Sequence, residues 1–403
     1  MRKIVTLLFA SIAIGLFAQE SQTSFRLGNG LNIELDKGKH HFNIGGFVQV
    51  GGLYSELKDT DPEYRFDVNR AYLDFTGGFF YDKLSFKLQM DFTRSYPLLD
   101  AWVAYNPIKN LSISVGQKQS ISGTRSMMFY DEALALGNRS LVNRTFYNTG
   151  RELGIFVESR LPVKSTGFDL GVAVTTGDGM NSFGSSSTDF DLGGLKYSAH
   201  ATFYPMGFFS PGNHLTDTDF AREKSPKLLI GGSYSYNQGA SDAIGEGHGN
   251  FTLYDEYGRA AFPDYIKMSM NVMFKYRGFT FLTEYVDAWA RNLNHLYVDG
   301  AATAKLQPKQ IADYLVLGSG LSAQAGYLFP KNWAIDLRYN YIFPEWSEKS
   351  SLINKTHGVR FGVAKYIIDN RLKIQLVGSY ENYSELTEKN KQFTMGINTH
   401  IVF

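Results

Sequence analysis

The carboxyl-terminal stretch of the chain alternates strictly. Between Gln392 and Phe403, the side chains of Phe393, Met395, Ile397, Ile401 and Phe403 fall on one face with the small Thr399 among them. Thr394, Gly396, Asn398 and His400 fall on the other. A period of two marks a β-strand, and a strand that is apolar on one side must bury or embed that side. The pattern recurs. Leu84, Phe86, Leu88, Met90 and Phe92 oppose Ser85, Lys87, Gln89, Asp91 and Thr93. Ile266, Met268, Met270, Val272 and Phe274 oppose Lys267, Ser269, Asn271, Met273 and Lys275, and Trp333, Ile335, Leu337 and Tyr339 oppose Ala334, Asp336, Arg338 and Asn340. Every cation in these runs lies on the polar face. On a lipid face each would cost ~2–4 kcal/mol near the midplane, so the register is well determined.

Alternation predicts sixteen strands, near 41–55, 64–77, 82–93, 98–106, 110–118, 150–160, 167–176, 189–204, 226–238, 264–276, 278–290, 312–328, 332–343, 354–367, 371–383 and 392–403; fourteen or eighteen stay open. Short links at 106–110, 277–278, 329–332 and 368–370 alternate with long ones at 119–149, 177–188, 239–263, 291–311, 344–353 and 384–391. Outer-membrane barrels have short periplasmic turns and longer external loops. With the chain starting in the periplasm, every short link of this set falls on that side. Two links depart from the rule: 205–225 is long where a turn is expected, and 94–97 is short where an external loop is expected. The expected fold is all-β, a transmembrane antiparallel β-barrel of sixteen strands with one long loop folded into the lumen.

Composition agrees: 31 Phe, 25 Tyr and 40 Gly against 11 Pro suit many strands, tight turns and aromatic girdles. Met1-Arg2-Lys3 followed by an apolar run from Ile4 to Phe17 has the layout of an export signal cut after Ala18. The expected organisation is a signal peptide at 1–18, a polar periplasmic leader at 19–40 and the barrel at 41–403. Beyond the signal no apolar run approaches the ~20 residues of a membrane helix. The length is also too small for ~22 strands plus a plug domain. The absence of Cys rules out a lipid-modified amino-terminal Cys, and a formal net charge of +1 offers nucleic acid no basic face.

Charge gathers in 118–151, where Lys118, Arg125, Arg139, Arg144 and Arg151 stand against Asp131 and Glu132. The same segment holds Met127, Met128, Phe129, Leu134 and Leu136, which a freely solvated loop would not need. It is expected to fold inward, its arginines offering planar forks to phosphate or carboxylate. On the lumenal faces Arg70, Lys87, Lys267, Lys275, Arg277, Arg338 and Lys373 outnumber Asp74, Asp91, Asp336 and Glu381, a lean toward anions. Neighbouring pairs such as Arg70/Asp74 and Asp336/Arg338 could equally be supports of the wall. Small lumenal residues such as Ser85, Ser269, Ala334 and Ser379 speak for an open interior.

Catalytic signatures are weak. His40-His41 point to opposite faces of a strand, no HExxH run exists, and Asp59-Thr60-Asp61 and Asp217-Thr218-Asp219 are incomplete as calcium loops. No catalytic residue, metal or cofactor is expected. A barrel enzyme would need a cluster around His295 or His357 at one rim.

Several segments between 64 and 160 resemble the phosphate-selective porin O and P family. They are Phe66-Asp67-Val68-Asn69-Arg70-Ala71-Tyr72-Leu73-Asp74-Phe75-Thr76-Gly77, Leu84 to Phe92 with Leu99-Asp100-Ala101-Trp102-Val103, Val115-Gly116-Gln117-Lys118, and Asn148-Thr149-Gly150-Arg151-Glu152-Leu153-Gly154. After Lys118 the chain reads Gln119-Ser120-Ile121-Ser122-Gly123, where the family frequently has Pro-Phe, and the loop lacks a dense arginine ladder. The resemblance implies a sixteen-stranded homotrimeric porin whose third external loop folds inward, and passive uptake of phosphate or related anions. The expected partners are small anionic or hydrophilic solutes, outer-membrane lipid and lipopolysaccharide, and the barrel-assembly machinery through the strand ending at Phe403. Alternatives are a porin for an organic acid or oligosaccharide, suggested by Trp102/Tyr105 and Tyr341/Trp346, and a non-conducting adhesion or secretion barrel.

Overall fold

The computed structural model describes residues 21–148, 150–177, 193–246, 249–383 and 391–403. The expected signal peptide and much of the segments 177–188 and 384–391 lie outside the described residues. Two short strands, β1 (Ser21–Arg26) and β2 (Gly30–Leu35), form a hairpin. Then come β3 (His40–Leu57), β4 (Glu63–Phe79), β5 (Leu84–Asp91), β6 (Leu98–Ile108), β7 (Leu111–Gln119), β8 (Arg151–Val163), β9 (Thr166–Thr175), β10 (Lys196–Tyr204) and β11 (Lys227–Asn237). After a small external hairpin, β12 (Leu253–Tyr254) and β13 (Ala260–Ala261), the wall continues as β14 (Asp264–Tyr276), β15 (Phe279–Arg291), β16 (Gly318–Leu328), β17 (Trp333–Pro344), β18 (Thr356–Ile368), β19 (Leu372–Tyr383) and β20 (Lys391–Val402).

Each wall strand pairs antiparallel with the next, and β20 closes on β3 from Gln392↔Leu57 to Val402↔Phe47, giving a closed barrel of sixteen strands. All sixteen expected strands are present. Two boundaries differ: Leu315, Val316 and Leu317 are buried in the apolar cluster under the external loops, so that β16 begins only at Gly318, and β10 begins at Lys196, residues 189–192 of the expected strand lying outside the described residues. The leader is an ordered hairpin. Its β2 pairs with the periplasmic end of β3, from Leu31↔Ile44 to Leu35↔His40, beyond the point where β20 ends.

The alternation read from sequence is the alternation of the wall. Ile335, Leu337 and Tyr339 are exposed on the outside, whereas Asp336, Arg338 and Asn340 are buried inside. Lipid is the solvent that makes so apolar an outer face favourable. No described helix is long and apolar enough to cross a membrane, so crossing falls to the strands. The two-residue turn Arg277-Gly278, with φ of 49° and 92°, joins β14 to β15 as tight hairpins require.

Candidate functional site

Among the described residues, two segments reach deep into the lumen. The external segment 120–150 carries the short turns Arg125–Met128 and Asp131–Ala133 and a helix, α1 (Leu141–Phe146), capped by the side chain of Ser140. Its backbone crosses the barrel on a row of wall donors. Lys373 Nζ donates to the carbonyls of Glu132 (3.0 Å) and Leu134 (2.8 Å), and Gln375 Nε2 to Ala135 (3.1 Å). Arg360 Nε donates to Leu136 (3.1 Å), Arg70 Nη1 to Gly137 (3.0 Å) and Arg338 Nη1 to Asn138 (2.9 Å). The backbone N–H and hydroxyl of Ser126 both donate to Glu284, at 2.7 Å each. Buried carbonyls need donors, and charged side chains on the wall supply them at ~1.5–3 kcal/mol apiece.

The second segment is the long periplasmic link 205–226. It rises into the barrel around Lys275, whose Nζ donates to the carbonyls of Asn213 (2.6 Å), Thr216 (2.9 Å) and Thr218 (2.9 Å). Asn213 Nδ2 in turn donates to Asp219 and Glu223, at 2.8 Å each. The two segments meet in mid-lumen. Arg125 Nη2 donates to the carbonyl of His214 at 2.9 Å, and the N–H of Ala135 to Asp217 Oδ1 at 2.9 Å. Beneath these contacts Phe129 and Leu134 of one segment pack with Phe209 of the other and with Tyr204, Leu229, Met273 and Leu282 of the wall.

Much of the interior beside β11 to β19 is therefore filled. Of the small lumenal residues singled out from sequence, Ser269 and Ala334 seat the inserts, whereas Ser85 and Ser379 bond to the neighbouring wall residues Asn106 and Thr394. Ser233 and Ser269 donate to the carbonyls of Ser122 (2.8 Å) and Gly123 (3.4 Å). A Cβ added at Gly320 would lie 2.9 Å from Val142 and 3.0 Å from Phe146, and one at Gly362 only 2.6 Å from Leu136.

Along β3 to β8 an off-centre passage stays open, with one vestibule on each side of the side chains that divide it; a further cavity of about 370 Å³, lined by Arg125, Glu158, Arg160, Asp169, His200 and His214, lies beside β7 to β10. The inner vestibule, about 470 Å³, is lined by Asn43, Thr76, Lys87, Asp74, Asp100 and Glu132, with Phe403 at its rim. The outer vestibule, about 350 Å³, is lined by Asn69, Arg70, Asp91, Arg94, Arg144 and Asn148. Tyr72, Asp131, Arg139 and Arg151 line both and so divide one from the other. Here Asp131 lies 3.2 Å from Arg139 and 3.5 Å from Arg70. Asp100 lies 3.2 Å from Arg151 and 3.1 Å from Lys87. Burial would raise the Asp131 carboxyl, but Arg139 and Arg70 outweigh it and hold the group well below the usual carboxylate range. Glu132 behaves oppositely: burial, with the charges of Asp131 and Asp74 nearby, pushes it up to about 7.

Of the cations singled out from sequence, Arg70, Lys87, Arg139, Arg144 and Arg151 are brought together on this passage, with Asp74, Asp91, Asp131 and Glu132 among them. The other cations are not. Lys275, Arg338 and Lys373 hold the loop backbones described above, and Arg125 ties the loops together. Lys267 donates to the Phe146 carbonyl at 2.7 Å and lies 3.2 Å from Glu246. Lys118 pairs with Glu158 over the rings of Trp102 and Phe156. Arg277 is an exposed turn residue. The charges of Lys267, Lys275, Arg338 and Lys373 are spent inside the wall because each faces loop backbone where water was expected. Sequence reasoning missed Tyr72, Asp100 and Arg94. It also left unread the inward course of 205–226, although Phe208, Phe209 and Phe220 in a segment that should be a turn give the same signal as the apolar residues of 118–151. His357 stacks on Tyr341 outside the barrel, ring centroids 4.1 Å apart, and no metal-ligand cluster occurs among the described residues.

No protein-family model matches the chain, and no curated protein does. Solved structures do match. The outer-membrane channel DcaP of Acinetobacter baumannii superposes with a TM-score of 0.56 at 13% identity, over 91% of this chain and 99% of that one. OmpT of Vibrio cholerae, an outer-membrane protein, gives 0.53 at 11% over 91% and 98%. OmpF of Salmonella typhi, solved with daunomycin, gives 0.50 at 12% over 94% and 100%. At these identities the likeness is one of fold, and the fold of this chain is the sixteen-stranded barrel of bacterial outer-membrane porins.

Proposed function

We propose that the chain is an outer-membrane channel for passive diffusion of small hydrophilic solutes, with a preference for anions such as phosphate. The observation that carries this reading is the sign of charge at the outer mouth. Arg70, Arg94, Arg139, Arg144 and Arg151 face the outer vestibule against Asp91 and Asp131 alone. A cleft of one sign with low-dielectric walls concentrates counter-ions from the outside, and basic rings select anions. The inner vestibule is near balance, with Lys87, Arg139 and Arg151 against Asp74, Asp100, Asp131 and Glu132, so an anion that has entered is not trapped. The resemblance of 64–160 to phosphate-selective porins supports the same solute class.

Export by the amino-terminal signal, residence in the outer membrane and assembly as a homotrimer belong to this reading. Supporting the last, Tyr64 and Phe66 face outward, Phe66 at 90% exposure, and β5 pairs with β4 only from Tyr72 onward. Lipid and lipopolysaccharide surround the remaining outer face, and the assembly machinery reads the strand ending at Phe403. The test is the reversal potential of the mature protein in a planar bilayer under a KCl gradient. A chloride-favouring potential reduced in current by added phosphate is expected; a cation-favouring pore overturns the anion reading, and silence from folded protein overturns the channel.

A further inference from the structure

The lining shared by the two vestibules holds a carboxylate that the protein supplies itself. Asp131 Oδ1 lies 3.2 Å from Nη2 of Arg139 and 3.5 Å from Nη2 of Arg70, and Oδ2 accepts from the Tyr72 hydroxyl at 2.6 Å. Three donors from β4 and the inward loop thus converge on one carboxylate.

These donors are held in place without Asp131. Arg70 Nη1 is fixed by Gln49 Oε1 (2.7 Å) and the Gly137 carbonyl (3.0 Å). Arg139 donates to the carbonyls of Ser126 and, at 3.2 Å, Phe129. The Tyr72 ring packs edge-on against Phe47, with centroids 5.6 Å apart. A site built from two guanidinium groups and a phenol, aimed before its ligand arrives, is pre-organised for a carboxylate. The loop backbone on either side is tied to the wall, so the aspartate leaves by turning its side chain alone.

We propose that Arg70, Arg139 and Tyr72 form a carboxylate-binding site within the passage, and that Asp131 occupies it in the resting protein as a resident competitor. Small organic acids enter by displacing it. The solute is a carboxylate because the two guanidinium groups meet one oxygen while the phenol donates to the other, and because the group seated there now has that chemistry. This deepens the channel reading and takes its physiological meaning from it, but binding at the site does not depend on ion flow.

The experiment is equilibrium dialysis of radiolabelled succinate against folded protein in detergent, folding being checked by the mobility of the unheated barrel on a gel. D131N is expected to bind succinate about ten-fold more tightly than the wild type, and the gain is expected to vanish in D131N/R139Q. D131S, which removes the same carboxylate with a smaller side chain, repeats the test should the amide disturb the loop. Equal affinity in wild type and folded D131N or D131S overturns the proposal, as does a gain that survives R139Q. Because dialysis needs no current, binding without conduction would sink the channel and keep the site. Conduction without the gain would do the reverse.

Discussion

The guanidinium of Arg125, on a loop that enters from outside, donates at 2.9 Å to the carbonyl of His214, on a loop that enters from the periplasm. That side chain is one of the links between the two inserts, beside the Ala135 to Asp217 bond and the packing of Phe129 and Leu134 on Phe209. Removing it should loosen the filled half without changing the charge of the open passage. Arg125→Ala is expected to raise single-channel conductance and current noise while leaving the chloride-to-potassium preference unchanged. A loss of anion preference would instead return Arg125 to the solute path.

The periplasmic insert is held from the wall by Lys275. Lys275→Met keeps the volume but strips the donor from three buried carbonyls, at a cost of about 1–3 kcal/mol for each group left unsatisfied. The barrel is expected to fold, to melt at lower temperature by calorimetry, and to conduct more than the wild type as the insert swings out. Unchanged melting and conductance would mean the insert is held by its apolar contacts alone.

Selectivity should reside in the outer vestibule. Arg94 and Arg144 line it, and Arg144 is half exposed beside Glu381. The double variant Arg94→Gln/Arg144→Gln is expected to lower the chloride-to-potassium permeability ratio by roughly half, read from the reversal potential. Lys373→Gln, on the loop-holding wall, is expected to act on stability first.

Glu132 makes the passage sensitive to pH. Its carboxyl, raised to about 7 by burial with help from Asp131 and Asp74, is neutral below that value and negative above it. The inner vestibule therefore loses a negative charge as pH falls. Anion preference should increase between about pH 8.5 and about pH 5.5, well above the usual carboxylate range. Glu132→Gln should hold the acidic value at both. A pH response that persists in that variant would place the titrating group elsewhere.

Much of the barrel was legible because each wall strand faces two solvents, lipid and lumen, and a period of two survives any uncertainty at its ends. Legibility failed where a stretch faces neither. Leu315, Val316 and Leu317 lie under external loops, so a continuous apolar run was read as strand. The lumenal cations show the limit for the site. Alternation places Lys373 and Arg338 on the inner face, but it does not say whether water or loop backbone lies in front of them. That depends on the path of 120–150 and 205–226, which is set by contacts such as Arg338 to Asn138, two hundred residues apart in the chain. Arg70 and Lys87 meet the passage because their side of the wall is the one the loops leave clear.

On this geometry solutes pass along β3 to β8 and not through the filled half. The sequence contains no Cys, so single cysteines can be placed and challenged with a charged methanethiosulfonate while current is recorded. Asn69→Cys and Thr76→Cys, in the outer and inner vestibules, are expected to react and block. Ser269→Cys and Ser322→Cys, buried at 1% and 3% exposure on the opposite wall, are expected to leave the current untouched. Rapid block at Ser269→Cys or Ser322→Cys, with none at Asn69→Cys or Thr76→Cys, would contradict the account.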